Sequence, residues 1–283
     1  MRSSNPDLPP IGEAGLQSLT TDDVADWSES IQLVLAPTTA KATLRVLDQI
    51  LRFAVRRGWS KENPCSGLDP SERPYGRARP VRILEPRELA KLLEHSGRHR
   101  LLFEFLAYTG LRVSEALGLR LCDLDLEAGL VRVRQQLSHR RLPKPLKTEA
   151  ARREVVLAPQ LVPTLRQHLL VANHREPDGL VFATASGRGL DYVKIWEAFA
   201  AAVRRAGLAS EERLSPHCLR HSFASLLIGR GLDVAFVASQ LGHTNPTTTL
   251  STYTHLIERA DHTERAREAL QASFATATGA LAP

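Results

Sequence analysis

The chain has 283 residues, a formal net charge of +6, a pI near 9.5 and 43% hydrophobic residues. That length exceeds what one small domain usually holds, so two domains are expected, with enough apolar material for ordinary cores. The basic surplus points to a polyanionic partner such as nucleic acid, whereas Cys65, Cys122 and Cys218 are too scattered for a disulfide framework or a zinc site.

No charged-then-apolar leader opens the chain, and no apolar run reaches the length of a bilayer span. The expectation is a soluble, cytoplasmic protein with no membrane contact. Residues 1–17 are rich in Pro, Gly and Ser and are expected to be disordered. The first thirty residues hold six acidic side chains against one arginine, a poor grip for DNA. A short helical domain is expected over 18–68. From Thr38 to Arg57 an apolar stripe of Leu44, Leu47, Ile50, Leu51, Ala54 and Val55 predicts a helix. Lys41, Arg45, Arg52 and Arg56 share a different face, interrupted by Asp48. A solvated surface face would show this pattern, and so would a face laid against a phosphate backbone. Residues 69–82 contain Pro70, Pro74, Pro80 and Gly76 with four arginines, which reads as an extended linker, either a plain spacer or a strap along DNA.

A second domain is expected over 83–262. Pro86–Glu94 reads as a helix with Glu85 as a possible cap, and Leu101–Tyr108 as a helix apolar nearly all round. Leu130–Arg134 alternates as a half-buried strand does, and a second strand is expected over Arg153–Leu157, with Lys147-Thr148 in the loop between. From Val131 to Arg153 there are eight Lys or Arg and one acid, including Arg132, Arg134, Arg140, Arg141 and Lys144. Either the edge is protected by charge, or the hairpin touches DNA, which the density favours. Helices are expected near Pro159–Val171 and Tyr192–Ala206, with a short strand Leu180–Phe182 between them. The fold class is therefore mainly α with a small β-hairpin or sheet. Residues 263–283 are expected to form a C-terminal helix and tail, with Ala266, Leu270 and Phe274 as a narrow apolar stripe.

Two stretches carry chemistry. The first, Tyr108-Thr109-Gly110-Leu111-Arg112-Val113-Ser114-Glu115, sets a glycine before a short amphipathic helix. Glu115, one turn from Arg112, would either fix that guanidinium or form an ordinary surface pair. The second runs from Ser215-Pro216-His217-Cys218-Leu219-Arg220-His221 through a helix to Gly229, then from Asp233 to Leu241-Gly242-His243, with Tyr253 ten residues on. Ser215 and Pro216 predict a helix start capped by the serine oxygen. His217 and Arg220 would then lie one turn apart beside N–H groups that favour an anion. Gly242 would stop the following helix and leave His243 just outside it.

Arg112, Lys147, His217, Arg220, His243 and Tyr253, in this order and context, resemble the active site of the tyrosine recombinases, the phage integrase family, over roughly residues 83–260. The resemblance implies a clamp of two domains on double-stranded DNA, a 3′-phosphotyrosine on Tyr253, and one strand cut and rejoined at a time. It implies a monomer in solution and a homotetramer on DNA, with accessory DNA-bending or directionality proteins in some settings, and a C-terminal segment that docks on a neighbouring protomer. No metal and no nucleotide cofactor are implied. The residue types make physical sense. Two arginines hold nonbridging oxygens, tyrosine stores the bond energy in an ester, His217 or a neighbouring base takes its proton, Lys147 protonates the departing 5′ oxygen, and His243 donates to the phosphate. His221 and His255 are read as structural. A type IB topoisomerase-like enzyme and a silent DNA-binding regulator are the rival readings.

Overall fold

The computed structural model describes residues 11, 15–75, 82–171, 176–209, 214–245, 247, 249, 250, 252 and 253. Two compact units divide the chain at Pro80 and Val81. The expected C-terminal helix, and most of the N-terminal stretch expected to be disordered, lie outside the described residues. Ile11 and Leu16 of that stretch pack against the core of the first unit.

The first unit is built on α1 (Thr21–Val34) and α2 (Pro37–Arg56). Thr20 starts α1 with a capping box: its N–H donates to Asp23 Oδ2 at 2.8 Å, and the Asp23 N–H donates to Thr20 Oγ1 at 3.2 Å. Val24, Leu44, Leu51, Cys65 and Leu68 form the core. The expected stripe of α2 is narrower than its sequence suggests. Leu44, Leu51 and Ala54 are buried and Leu47 and Val55 half-buried, but Ile50 is 54% exposed. Ile50 lies about a quarter-turn from the buried line, and α1 is the one long helix against which α2 buries a face.

The second unit is mainly helical. α3 (Pro86–Glu94) begins at Glu85, whose N–H donates to Glu88 Oε2 at 2.9 Å. α4 (Arg100–Thr109) is the central helix, with Phe103 against Phe199 and Phe105 against Phe182 at ring separations of 5.3 and 5.2 Å. After α5 (Val113–Leu117) come β1 (Leu124–Asp125), β2 (Leu130–Val133), β3 (Gln135–Leu137), β4 (Pro143–Pro145) and β5 (Arg153–Val156). β1, β2 and β5 form an antiparallel sheet in that order, and β3 pairs with β4 as a separate hairpin. The alternation of β2 is observed: Val131 and Val133 point inward at 0% and 1% exposure.

α6 (Leu161–Val171), α7 (Tyr192–Arg205), α8 (His217–Gly229) and α9 (Val234–Leu241) complete the described elements. Two expectations fail locally. Leu180–Phe182 is no strand: Leu180 makes an isolated bridge to Arg120, and a second bridge joins Ala183 to Gly189. Ser215 does not cap α8 with its hydroxyl. Its carbonyl accepts from the Cys218 N–H at 2.9 Å, and the cap position falls on Pro216, which has no side-chain acceptor. None of the described helices is long and apolar enough to cross a membrane.

Gly118 fixes how closely α5 approaches β3. A Cβ there would meet the Gln136 backbone at 2.7 Å, and backbone cannot step aside. Gly118→Ala is expected to cost about 1–3 kcal/mol through overpacking, read as a lower denaturant midpoint.

Candidate active site

Arg112 immediately precedes α5, and Glu115 holds it twice: the Arg112 N–H donates to Oε2 at 2.9 Å, and Nη1 donates to Oε1 at 2.7 Å. Glu115 is 2% exposed, which decides against an ordinary surface pair. Its Oε2 also accepts from Arg153 Nη2 at 2.9 Å, so one carboxylate lies between two guanidiniums. Burial raises the Glu115 pKa, but Arg153 and then Arg112 outweigh it and hold the carboxyl below its ordinary value.

Arg153 reaches further. Its Nε donates to the Gln240 carbonyl at 2.7 Å, while the Gln240 side chain accepts from the Val156 N–H at 3.0 Å and donates to the Glu154 carbonyl at 3.2 Å. The end of α9 is thereby stitched to β5. Arg220, on α8 and 3% exposed, adds a second tie, with Nη2 donating to Leu241 O at 2.6 Å and Nη1 to Gly110 O at 2.8 Å. Carbonyls at a helix C-terminus carry partial negative charge and lack partners, so two arginines suit this end. Gly242 closes the helix in the left-handed region at φ 68°, and a Cβ there would meet Arg153 Nη1 at 2.9 Å. His243 follows, its N–H donating to Ala238 O at 3.0 Å and its Nδ1 2.7 Å from Thr249 Oγ1.

A cavity of about 580 Å³ opens beside this framework, lined by Arg112, Lys147, His243, Gln136 and Asn245 among others. Lys147 comes from the loop after β4, is exposed, and has no acid partner among the described residues. Arg112, Lys147 and His243 thus meet around one space. Arg220 and His217 do not line it, but their charges reach His243, which does. His217 is held below its ordinary pKa by burial, then by Arg220 and Arg112. Burial, then Arg220, Arg112 and Arg153, push His243 down to about 4. Burial and Arg112 lower Arg220 to about 9, which leaves it charged at neutral pH.

Tyr253 also lies outside the cavity lining. It is 2% exposed, packed in a small cluster with Phe223, Ala224, Ile228, Val237 and Leu241 between α8 and α9. Burial raises its pKa, and Arg220 opposes that rise. Its hydroxyl lies 2.6 Å from Nδ1 of His221. His217 or a neighbouring base is expected there; the structure puts His221, one turn on from His217, at the hydroxyl, since i and i+4 share a helix face.

Sequence reasoning does not place His221 or Arg153 in this framework. His221 is expected to be structural, and nothing in the chain pairs it with Tyr253. Arg153 left a signal: it shares the inward face of β5 with Val155, and a charge at an inward strand position implies a buried partner.

The expected DNA-contacting residues divide. On α2, Lys41 and Arg45 line a groove of about 650 Å³ with Arg73, and Arg45, Arg52 and Arg56 line another of about 970 Å³. Arg52 donates to Asp48 at 2.9 Å. In the second unit, Arg132 is paired with Asp125 at 3.1 Å and Glu154 at 3.0 Å, Arg134 lies 3.5 Å from Asp123, and Arg141 pairs with Asp191. These acids come from outside the 131–153 window, so the charge density of that window overstates its free charge. Arg140 and Lys144 have no acid partner among the described residues. No group of His, Cys, Asp and Glu among the described residues is placed to hold a metal.

Residues 82–259 match the model of the phage integrase family. The tyrosine recombinase XerC of Azotobacter vinelandii is 35% identical over 223 residues, 75% of this chain and 68% of that protein. The tyrosine recombinase XerD of Lacticaseibacillus casei is 30% identical over 233 residues, 78% and 73% of the two chains. The Tn1549 transposon integrase, solved in complex with a circular intermediate DNA, shares the fold at a TM-score of 0.74, over 90% of this chain and 86% of that one at 23% identity. A lambda integrase dimer bound to a COC′ core site matches at 0.65, over 90% and 85% at 19% identity. The chain belongs to the phage integrase family and is a tyrosine recombinase, a DNA strand-transferase.

Removing the Glu115 charge leaves Arg153 buried without a counter-ion, so Glu115→Gln is expected to lower stability by about 3–5 kcal/mol, measured by chemical denaturation. A second outcome concerns pH. His221 and His243 have folded pKa values of about 4 against an ordinary 6.5. Between pH 6.5 and 4 the unfolded chain therefore binds protons that the folded chain does not, and stability falls as pH falls through that window. The double variant His221→Asn, His243→Asn is expected to flatten this slope in melts at pH 7 and pH 5.

Proposed function

We propose that this recombinase cuts and rejoins double-stranded DNA one strand at a time, through a 3′-phosphotyrosine on Tyr253. The observation that carries this reading is the cavity where Arg112, Lys147 and His243 meet, with Arg220 tied beneath it through Gly110 and Leu241. The buried carboxylate of that framework, Glu115, is already shared by two arginines, so the site holds a surplus of positive charge suited to one phosphodiester. In the transition state extra negative charge gathers on the nonbridging oxygens, and Arg112 and Arg220 answer it without having to reorganise. Tyr253 attacks phosphorus, Lys147 gives a proton to the departing 5′ oxygen, and His217 and His243 support the phosphate. The ester keeps the bond energy, so rejoining by attack of a 5′ hydroxyl needs no nucleotide cofactor.

DNA as the partner is supported by the surplus charge and by the DNA complexes of the Tn1549 and lambda integrases. On this reading the short helical unit, with Lys41, Arg45, Arg52 and Arg56, lies against the DNA and acts with the catalytic unit as a clamp. Arg140 and Lys144 contribute from the hairpin. Monomers assemble as a homotetramer on paired sites in the cytoplasm, and the outcome is integration, excision or resolution according to how those sites are arranged.

The test is a trapping assay on nicked suicide duplexes taken from the DNA flanking the gene, read as a covalent adduct on denaturing gels. Wild type is expected to form the adduct and Tyr253→Phe to form none. Well-bound duplexes with no adduct would overturn the reading in favour of a binding protein. Lys147→Ala is expected to slow cleavage by about 10²-fold or more, and a 5′-bridging sulfur, a leaving group that needs no proton, is expected to restore most of the rate. Alanine at Arg45 is expected to weaken binding to all duplexes alike and to reduce the salt slope by about 1.

A further inference from the structure

His221 stands on α8 one residue after Arg220 and one turn after His217. Its Nδ1 lies 2.6 Å from the Tyr253 hydroxyl, the one polar contact of that hydroxyl among the described residues. The His217 and His221 rings meet edge-on at 5.1 Å, so His217 is a neighbour of the pair and not its hydrogen-bond partner. A phenol that is 2% exposed is shielded from bulk solvent. The nearest acceptor for its proton is the imidazole already in contact with it.

We propose that His221 holds the Tyr253 nucleophile and takes its proton during strand cleavage, in a step that becomes favourable when a DNA phosphodiester enters the cavity lined by Arg112, Lys147 and His243. This rests on the reading of Tyr253 as the nucleophile. In the step, Tyr253 Oη forms a bond to phosphorus while the bond from phosphorus to the 5′ oxygen breaks. The phenolic proton passes to His221 Nδ1, and the 5′ oxygen takes a proton from Lys147. Rejoining runs the same transfers backward, with His221 returning its proton to the departing phenol.

The dependence on phosphate follows from the charges around the pair. His217 and Arg220 face His221 from its own helix, His243 faces it from beyond α9, and Arg112 and Arg153 stand behind, with Glu115 shared between them. An imidazolium formed in the empty site would add a cation to this group. Burial, His217 and Arg220 accordingly push His221 down to about 4, and burial pushes the phenol up. Both groups are therefore neutral at pH 7, and in the proposed resting state the Tyr253 O–H donates to Nδ1. A phosphodiester held by Arg112 and Arg220 brings one negative charge and gains more as attack proceeds, which offsets the charge arriving on His221. Tyrosine activation is thereby tied to an occupied phosphate site.

Two measurements test this. In the DNA-free protein labelled with ¹⁵N-histidine, the His221 signals are expected to show a bare Nδ1 and a protonated Nε2; a proton on Nδ1 would overturn the proposal, since that nitrogen could then accept nothing. In single-turnover cleavage of a nicked suicide duplex, His221→Asn keeps a polar atom near the Nδ1 position but cannot take a proton. It is expected to keep its melting temperature and duplex affinity at pH 7 while adduct formation slows by about 10²-fold or more. His221→Gln serves as the second variant if the asparagine protein does not fold. Cleavage by a folded variant within about threefold of wild type would overturn the role of His221 and leave Tyr253 as nucleophile. Failure of the wild type itself to form an adduct on any bound duplex would remove the Tyr253 reading, and this proposal with it.

Discussion

Glu115 decides where Arg112 points. Its two oxygens take the guanidinium and backbone N–H of Arg112 on one side and the guanidinium of Arg153 on the other. Arg153 is anchored in turn on the end of α9, 87 residues further along the chain. One buried carboxylate thus ties the short helix that follows Arg112 to β5 and, through it, to the turn that presents His243. The paired charges repay their desolvation only when all are present. A site assembled this way does not loosen gradually, because removing one member strands the others in a medium where bare charge is costly.

Arg220 complements this network by a different route. It has no carboxylate partner among its hydrogen bonds and gives its protons to two main-chain oxygens, at Gly110 and Leu241. Those carbonyls belong to the two glycine turns that flank the site. The positive charge therefore remains uncompensated by a full anion while its position is fixed by backbone. That combination suits a phosphate ligand better than an ion pair would, because binding does not first require a salt bridge to break.

The parts of this arrangement that were legible in the sequence are those set by local rules. The helices of the second unit, the alternation of β2 and the left-handed stop at Gly242 all follow from periodicity and turn chemistry, which act within a few residues. The contexts of Lys147 and His243, a loop between strands and the residue after a helix-ending glycine, are local too. The misses are non-local or depend on how much partner surface is available. Ile50 fits the stripe of α2, yet the neighbouring helix does not reach it. The segment around Leu180 has strand composition and finds only single bridges. The ion pairs of Arg132, Arg134 and Arg141 are non-local in the same way, because the acids that pair with them lie outside the hairpin window. His221 is the sharpest case, since its meaning comes from a hydroxyl 32 residues away that no helical spacing connects to it.

The pairing of Tyr253 with His221 has a consequence for stability as well as chemistry. On the proposed mechanism, a tyrosine that must give up its proton is stored where anions are disfavoured, and the histidine that takes it is stored beside an arginine. Each is held in its neutral form by burial, and the cluster of Phe223, Ile228, Val237 and Leu241 that provides the burial also holds α9 against α8. Packing that stabilises the second unit is therefore the same packing that keeps the Tyr253 phenol neutral. On that mechanism a bound phosphodiester supplies what the fold withholds: a negative charge near Arg220, in a space already framed by Arg112, Lys147 and His243. Reactivity would then depend on occupancy of the cavity, because without a phosphate the phenol stays neutral.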